Sequence, residues 1–345
     1  MVGPGEIARR IRSRRSGHLE SLPILALTVH SACNCRCVMC DIWKANADKR
    51  EISASDLERH VDAIRALRVQ RVMLTGGEPL LHRNLWALCR QLHALRIRIT
   101  LVTTGLLIEP HASEIAGSVD TVVVSLDGDR DTHDAIRRVK GGFDRIARGV
   151  MALHAELPTP RLIARCVLQR GNFAALHQTI AAALAMGFDE ISFLGADVSS
   201  PAFNRATPWA PERVAEVSVA ANDLASLKAA IDRAVLISPA LFDNGFVAGG
   251  RASLDRIHQY YSALAGHGAF PAVRCNAPWV SAVMEPDGDL RPCFFHPVYG
   301  NVGADLDHAL NSEKAIAFRN DLDVESNPTC QRCVCSLNVP LTRAV

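Results

Sequence analysis

The sequence predicts an α/β protein: a partial (β/α)6 barrel of TIM type followed by a small C-terminal module that depends on bound metal. Three observations carry this. Six short apolar runs recur between residues 24 and 195, each followed by a loop and a stretch of helical periodicity. Several of those runs alternate in polarity with period two, as strands packed on one face do. The eleven cysteines are gathered near the two ends of the chain rather than scattered.

The strand-like runs are Ile24–Val29, Arg71–Thr75, Ile97–Thr103, Asp120–Leu126, Arg161–Leu168 and Glu190–Leu194. Helical periodicity follows in segments such as Phe143–Leu157 and Phe173–Met186. Ser55, with Glu58 three residues on, reads as a capping box at one helix start. About eight βα units close a full barrel, so six imply an open one. In the fourth run Thr121, Ser125 and Asp127 share a face opposite Val122, Val124 and Leu126. In the fifth, Arg161, Arg165 and Gln169 oppose Leu162, Ala164, Cys166 and Leu168. If helices cover the apolar side, the polar set lines the barrel interior and its mouth, where an active site belongs.

Residues 22–198 therefore form the barrel. Residues 1–21 are a basic arm with Arg9, Arg10, Arg12, Arg14 and Arg15, expected to be solvated and mobile. Residues 199–268 lose the strand rhythm and read as a mainly helical bridge, with helices over Pro211–Val235 and roughly Ser253–Leu264. Residues 269–345 lack long periodic elements and hold five cysteines, as a module folded around metal would. Hydrophobic residues at 48% and a net charge of +2 describe an ordinary globular chain and give no reason to expect nucleic acid or an anionic surface as main partner. There is no apolar run of the roughly 18 residues a membrane span needs, and no secretory h-region, so a cytoplasmic protein with reduced thiols is expected.

Cys33, Cys37 and Cys40 give the spacing C-x3-C-x2-C in the loop directly after the first strand. Three thiolates on a tight loop can hold three irons of a 4Fe–4S cluster and leave the fourth without a protein ligand. An open coordination position marks a catalytic rather than a structural metal site. The alternative is a zinc knuckle with Cys35 as fourth ligand, although zinc prefers C-x2-C pairs. Otherwise Cys35 has no assigned role and is expected to point away from the metal.

At these residues the sequence resembles the radical S-adenosylmethionine superfamily, whose signature is the same spacing after the first strand of a partial (β/α)6 barrel. The resemblance implies that the open iron binds S-adenosylmethionine, whose reductive cleavage to a 5′-deoxyadenosyl radical removes hydrogen from substrate. Thr75-Gly76-Gly77-Glu78-Pro79, about 36 residues past the cysteine loop, matches the family's GGEP motif. Its glycines allow close backbone approach, and the resemblance implies carbonyl contacts to the methionine ammonium. Looser matches are Thr103-Thr104-Gly105 where relatives carry Thr-Asn-Gly, Ser125 and Asp127 as Ser-x-Asp near the ribose, and Asn172 after the fifth strand. Met39 stands where an aromatic residue is common. The cofactor-contacting set so implied is Met39, Gly76, Gly77, Glu78, Pro79, Thr104, Ser125 and Asp127.

Near the C-terminus Cys275 and Cys293 are separated by seventeen residues, and Cys330 and Cys333 form a C-x2-C pair. Four thiolates in two pairs suit a closed cluster, or a structural zinc ribbon. With Pro286-Asp287-Gly288, Pro292-Cys293 and Gly300-Asn301 between them, they resemble the shorter, twitch form of the SPASM extension, which implies one auxiliary 4Fe–4S cluster. Whether Cys335 replaces Cys330 or Cys333 is open. Cys89 and Cys166 read as core filler, Cys166 on the helix-facing side. Arg165, Gln169, Ser192 and Asp197 are pocket candidates by position, and His296 lies just past Cys293.

The resemblance implies an oxidoreductase acting on a small molecule, with the auxiliary cluster accepting an electron and a flavodoxin or ferredoxin as reductant. Only 32 residues precede Cys33, which tilts away from a peptide maturase with its own leader-binding domain. A radical epimerase and, outside enzymes, an iron–sulfur electron carrier are the other readings.

Overall fold

The computed structural model describes residues 2–303 and 305–345. All six expected strands form: β1 Ile24–His30, β2 Arg71–Gly76, β3 Arg98–Thr103, β4 Thr121–Ser125, β5 Arg161–Leu168 and β6 Glu190–Gly195. They pair in parallel and in sequence order. The register explains why. Leu25, Val72 and Ile99 form one continuous row across β1–β3, and Leu101, Val122 and Leu162 another across β3–β5. Every one of these side chains is fully buried, and each contributes on the order of 2 kcal/mol. A one-residue slip of any strand would turn its whole row to the wrong face.

Three more strands extend the same sheet past β1: β7 Ser281–Met284, β8 Asp289–Arg291 and β9 Gly300–Asn301. β7 runs parallel to β1 with Ile24 opposite Ser281, and β8 and β9 fold back antiparallel. The turn between β7 and β8 is Pro286-Asp287-Gly288, and Gly288 takes the left-handed conformation that turn needs, with φ at 84°. The sheet runs from β6 to β9 without closing, so the barrel is open. The cysteine-rich module is thus continuous with the barrel, and Ala282, Met284, Leu290 and Leu306 share its hydrophobic core.

The chain departs from expectation in four places. The N-terminal arm is not a loose tail. Pro4–Ser16 is a helix, and Arg10 is buried beneath the C-terminal segment, donating to the carbonyl of Arg343 at 2.7 Å and pairing with Glu6 at 3.0 Å. The capping box belongs to Ser53 and Asp56, not to Ser55 and Glu58. Ser53 has the extended backbone a cap requires, and an aspartate serves as well as a glutamate to bond the cap N–H. The helix expected over Pro211–Val235 is split into Pro211–Val217 and Leu224–Ile237. Arg170 N–H takes the Val217 carbonyl at 2.9 Å, and Val217 and Val219 dive into the interior between the two pieces. The last departure, in the cysteine loop, is described below.

Alternation along the strands sets the inside of the barrel. Val122, Val124, Leu162, Ala164, Cys166 and Leu168 face the helices. Ala26, Met73, Thr100, Thr121, Val123, Arg161, Ile163 and Arg165 line an interior cavity of about 500 Å³. The last helix of the bridge, Gly250–Leu264, locks the upper ends of β5 and β6, because the Tyr261 hydroxyl donates to the Leu168 carbonyl and accepts from Ala196 N–H. No helix among the described residues is long and apolar enough to cross a membrane.

Candidate active site

The loop after β1 carries Cys33, Cys37 and Cys40, and two segments hold it, the short helical turn Ile42–Ala45 with its capping Asn46 and the end of the helix Arg130–Arg137. Asn46 clamps Cys33 from below, accepting its N–H at 2.9 Å and donating to its carbonyl at 2.8 Å. The end of the helix Arg130–Arg137 pairs backbone to backbone with the loop, through Arg36 N–H to the Arg137 carbonyl and Val38 N–H to that of Ile136. Trp43 donates its indole N–H to the Cys40 carbonyl at 2.9 Å.

Each of the three sulfurs receives one N–H donor at 3.5 Å: Cys33 from the Cys35 amide, Cys40 from the Ile42 amide, and Cys37 from Arg137 Nη1. Donors aimed at sulfur stabilise thiolates and tune iron–sulfur clusters. The Cys37 thiol is drawn down to about 6, by its hydrogen bond with Cys35 against the pull of burial, with the Arg137 cation adding to the effect. Cys35 does not point away from this group. It is buried, and hydrogen bonds to Cys33 and Cys37 raise its own pKa. Burial pushes Cys40 up to about 12.

Arg137 is itself held by Asp127, Nε to Oδ2 at 2.5 Å. Asp127 is fully buried, and its other oxygen accepts Val167 N–H at 2.8 Å. Asn172 donates to the Asp127 carbonyl and His133 accepts its N–H. The geometry therefore assigns Asp127 to fixing the cation beside Cys37, in place of the ribose contact expected for it. Ser125, two residues earlier, is half-buried at the end of β4, with no side-chain hydrogen bond among the described residues.

The Gly76-Gly77-Glu78-Pro79 loop sits directly against the start of the cysteine loop. Gly77 N–H bonds the His30 carbonyl at 2.8 Å and Glu78 N–H that of Ala32 at 2.9 Å. A Cβ on Gly76 would lie 2.3 Å from the His30 oxygen, and one on Gly77 2.1 Å from that of Ala32. The glycines are thus required by loop-on-loop packing. The Glu78 side chain is fully buried and turned inward, accepting from Leu80 N–H, Thr103 Oγ1 and Thr104 N–H at 3.0, 2.7 and 2.6 Å. Burial raises its pKa. It ties the third-strand loop to the second and has no free edge toward the mouth; Pro79 is buried with it. The Thr104 hydroxyl reaches Asn34 in the cysteine loop at 3.0 Å.

Above these loops Thr28, Ser31, Thr75, Gly76 and Gly77 line a mouth of about 380 Å³ together with Phe203, Arg205, Glu285, Arg291 and Phe294. The bridge covers one side. Arg205 forms a buried pair with Asp197 at 2.8 Å, donates to the Met39 carbonyl at 3.4 Å, and stacks 3.8 Å from the Trp209 ring centroid. Trp209 in turn donates to Asp41. Met39 packs with Ile136, Ala196 and Val198 in a small apolar cluster under this strap. Asp197 is therefore spent on Arg205, and the buried Gln169 on its own turn. Sequence reasoning missed Arg137, Arg205 and Trp209. A buried aspartate implies a cation, but nothing local says which arginine supplies it.

In the C-terminal module Cys275, Cys293, Cys330, Cys333 and Cys335 all line the interior cavity, with Phe294 and His296 among them. His296 Nε2 lies 3.3 Å from Cys330 Sγ, Cys335 N–H points at Cys333 Sγ at 3.4 Å, and the amides of Phe295 and His296 face Cys293. Burial raises Cys293 to about 11 and Cys330 to about 12. Arg165, bonded to Ser192 at 3.3 Å, faces Cys335 across the cavity. Cys89 and Cys166 are fully buried in the core, as expected. Among the described residues no three His, Cys, Asp or Glu side chains converge on a point that one metal ion could occupy. A four-iron cluster binds its thiolates at separate corners, which a looser ring of sulfurs suits.

Residues 27–183 match the family model of the radical SAM superfamily, and residues 275–334 match that of the SPASM iron–sulfur cluster-binding domain. Over 136 residues the chain is 33% identical to a probable GTP 3′,8-cyclase of Methanopyrus kandleri, covering 39% of this chain and 44% of that protein. It is 28% identical over 140 residues to an AdoMet-dependent heme synthase of Methanosarcina barkeri, covering 39% and 40%. These matches span less than half the length of either relative. The fold resembles that of Streptococcus suis SuiB bound to precursor peptide SuiA, with a TM-score of 0.65 and 16% identity over 95% of this chain and 74% of that one. The two matched domains imply a 4Fe–4S cluster, S-adenosylmethionine and additional iron–sulfur binding. The residues present fit these groups, since N–H donors already face sulfurs in both cysteine groups. Cysteine loop, glycine loop and cysteine-lined module together place this chain in the radical SAM superfamily, as an enzyme that carries a SPASM-type iron–sulfur domain.

Proposed function

We propose that the protein is an oxidoreductase that removes hydrogen from a small-molecule substrate, with an auxiliary cluster receiving the electron released. The observation that supports this most is the shared space. The module's cysteines line the barrel interior, and Phe294 borders both that cavity and the mouth beside Gly76 and Gly77. A substrate at the mouth would sit beside the glycine loop that packs on the cysteine loop, with Phe294 between it and the cavity lined by the module's cysteines.

Bound at Cys33, Cys37 and Cys40, a reduced cluster with S-adenosylmethionine supplies a hydrogen-abstracting radical. The chain's own residues do the rest. Arg137 and the backbone amides aim N–H donors at the three sulfurs, Gly76 and Gly77 present the mouth wall, and Ser125 offers a hydroxyl to the nucleoside. Arg205 and Trp209 keep the bridge over Met39, excluding water from one side. Cys275, Cys293, Cys330 and Cys333 are the auxiliary ligands in this reading; Cys335 faces Arg165 across the cavity.

Anaerobic reconstitution should give about eight irons per chain, and dithionite with S-adenosylmethionine should yield 5′-deoxyadenosine. Replacing Cys33, Cys37 and Cys40 together should abolish that product and leave about four irons. Full product from the triple variant, or none from the unaltered protein, refutes the assignment.

A further inference from the structure

Arg14, Arg15, Arg274 and Arg319 surround an outward-facing cleft of about 580 Å³ together with Cys275 and Trp279. Cys275 lines both this cleft and the interior cavity, so one cysteine of the module spans the wall between them. Arg14, Arg15 and Arg274 are exposed, and no carboxylate lies within ion-pair distance of them among the described residues. Arg10 and Arg12, on the same helix, are by contrast paired with Glu6 and Glu20. Two acids also line the cleft, Asp323 and Glu325. Asp323 accepts from the Ser326 hydroxyl and the Glu325 amide, and four arginines against these two carboxylates leave a formal excess of two positive charges in the cleft. Unpaired exposed arginines gain nothing for stability and repel one another, so their clustering asks for an outside anion.

Resting on the function proposed above, we propose that this cleft is the docking face for an electron-carrier protein with an acidic rim, exchanging electrons with the auxiliary site through Cys275. The electron count admits such a partner. One electron enters to break the sulfonium C–S bond. The substrate loses a hydrogen atom to the 5′-deoxyadenosyl radical, then one proton to solvent and one electron to the auxiliary site. That electron either returns to the first cluster, which closes the count within the chain, or passes to an oxidised one-electron carrier, and the arginine cleft beside Cys275 favours the second route. Charge complementarity steers such encounters and fades with ionic strength.

The test uses the cluster-loaded protein and a flavodoxin of net negative charge. Calorimetric affinity is measured at low and physiological ionic strength, with hydrogen-exchange protection mapping the footprint. The unaltered protein should bind more weakly as salt rises, with protection over residues 8–16 and 272–276. Arg14→Glu/Arg15→Glu should weaken binding by about tenfold or more at low salt, while its iron content and its reduction by dithionite stay unchanged. Salt-independent binding, wild-type affinity in the double variant, or protection confined to the face around Cys33–Cys40 overturns the proposal. If the double variant does not fold, the salt slope and footprint of the unaltered protein still decide. Because affinity is the readout, absence of 5′-deoxyadenosine would sink the function proposed above without touching this surface.

Discussion

Replacing Arg137 with methionine tests the electrostatic architecture of the cysteine loop most directly. Methionine keeps the length of the stem and removes the cation. Asp127, fully buried and 2.5 Å from Arg137 Nε, is then a carboxylate with no counter-charge. At an effective dielectric near 20, a unit pair about 4 Å apart is worth about 4 kcal/mol. Removing one partner of a buried pair costs about 3–5 kcal/mol. The two figures agree, so Arg137→Met should destabilise the protein by about 4 kcal/mol in urea unfolding followed by circular dichroism. Adding Asp127→Asn should recover most of that loss, because the amide oxygen still accepts Val167 N–H and no charge is stranded. The loss of the Nη1 donor to Cys37 is not recovered, so both variants should take up iron at the first site more slowly than the unaltered protein. A cost below about 1 kcal/mol, or a double variant as unstable as the single, would show that the pair is not what fixes this loop.

Two further outcomes follow from the same region. His133 is buried and its pKa is depressed to about 4 by burial and by Arg137, and its Nδ1 accepts Asp127 N–H, which requires the neutral ring. A depressed folded-state pKa means its contribution is complete above about 6.5 and lost as pH falls toward 4, up to about 3 kcal/mol; His133→Asn, which keeps an acceptor, should flatten that part of the pH–stability curve. Gly77→Ala forces a Cβ to 2.1 Å from a backbone oxygen, so it should cost roughly 2–4 kcal/mol and slow iron uptake at the first site, whereas Gly117→Ala, on an exposed helix face with open space around it, should cost nothing or stabilise slightly in the same urea unfolding.

The six strands and their order of appearance could be read from the chain because period-two alternation and apolar rows are local properties that burial of one face enforces. Cys33, Cys37 and Cys40 were legible for the same reason: three thiols on one short loop need no distant partner to be recognised. The Gly-Gly-Glu-Pro loop was legible as a motif but not in its mechanics, since only the fold shows that Ala32 and His30 demand the glycines and that Glu78 turns inward. Asp127 was visible as a polar residue at a strand end, yet its partner lies ten residues away on a helix whose direction no local pattern specifies.

Local sequence determined which segments are strands, which cysteines form groups and which residues face the barrel interior, because those depend on neighbours within a few positions. Tertiary structure alone decided that β7 joins β1, that Arg10 anchors the first helix beneath the last residues, and that Arg205 straps the bridge over Met39. Each joins segments far apart in sequence, and such contacts are selected by the packing of the whole core and the pairing of buried charge, which no short window of residues contains.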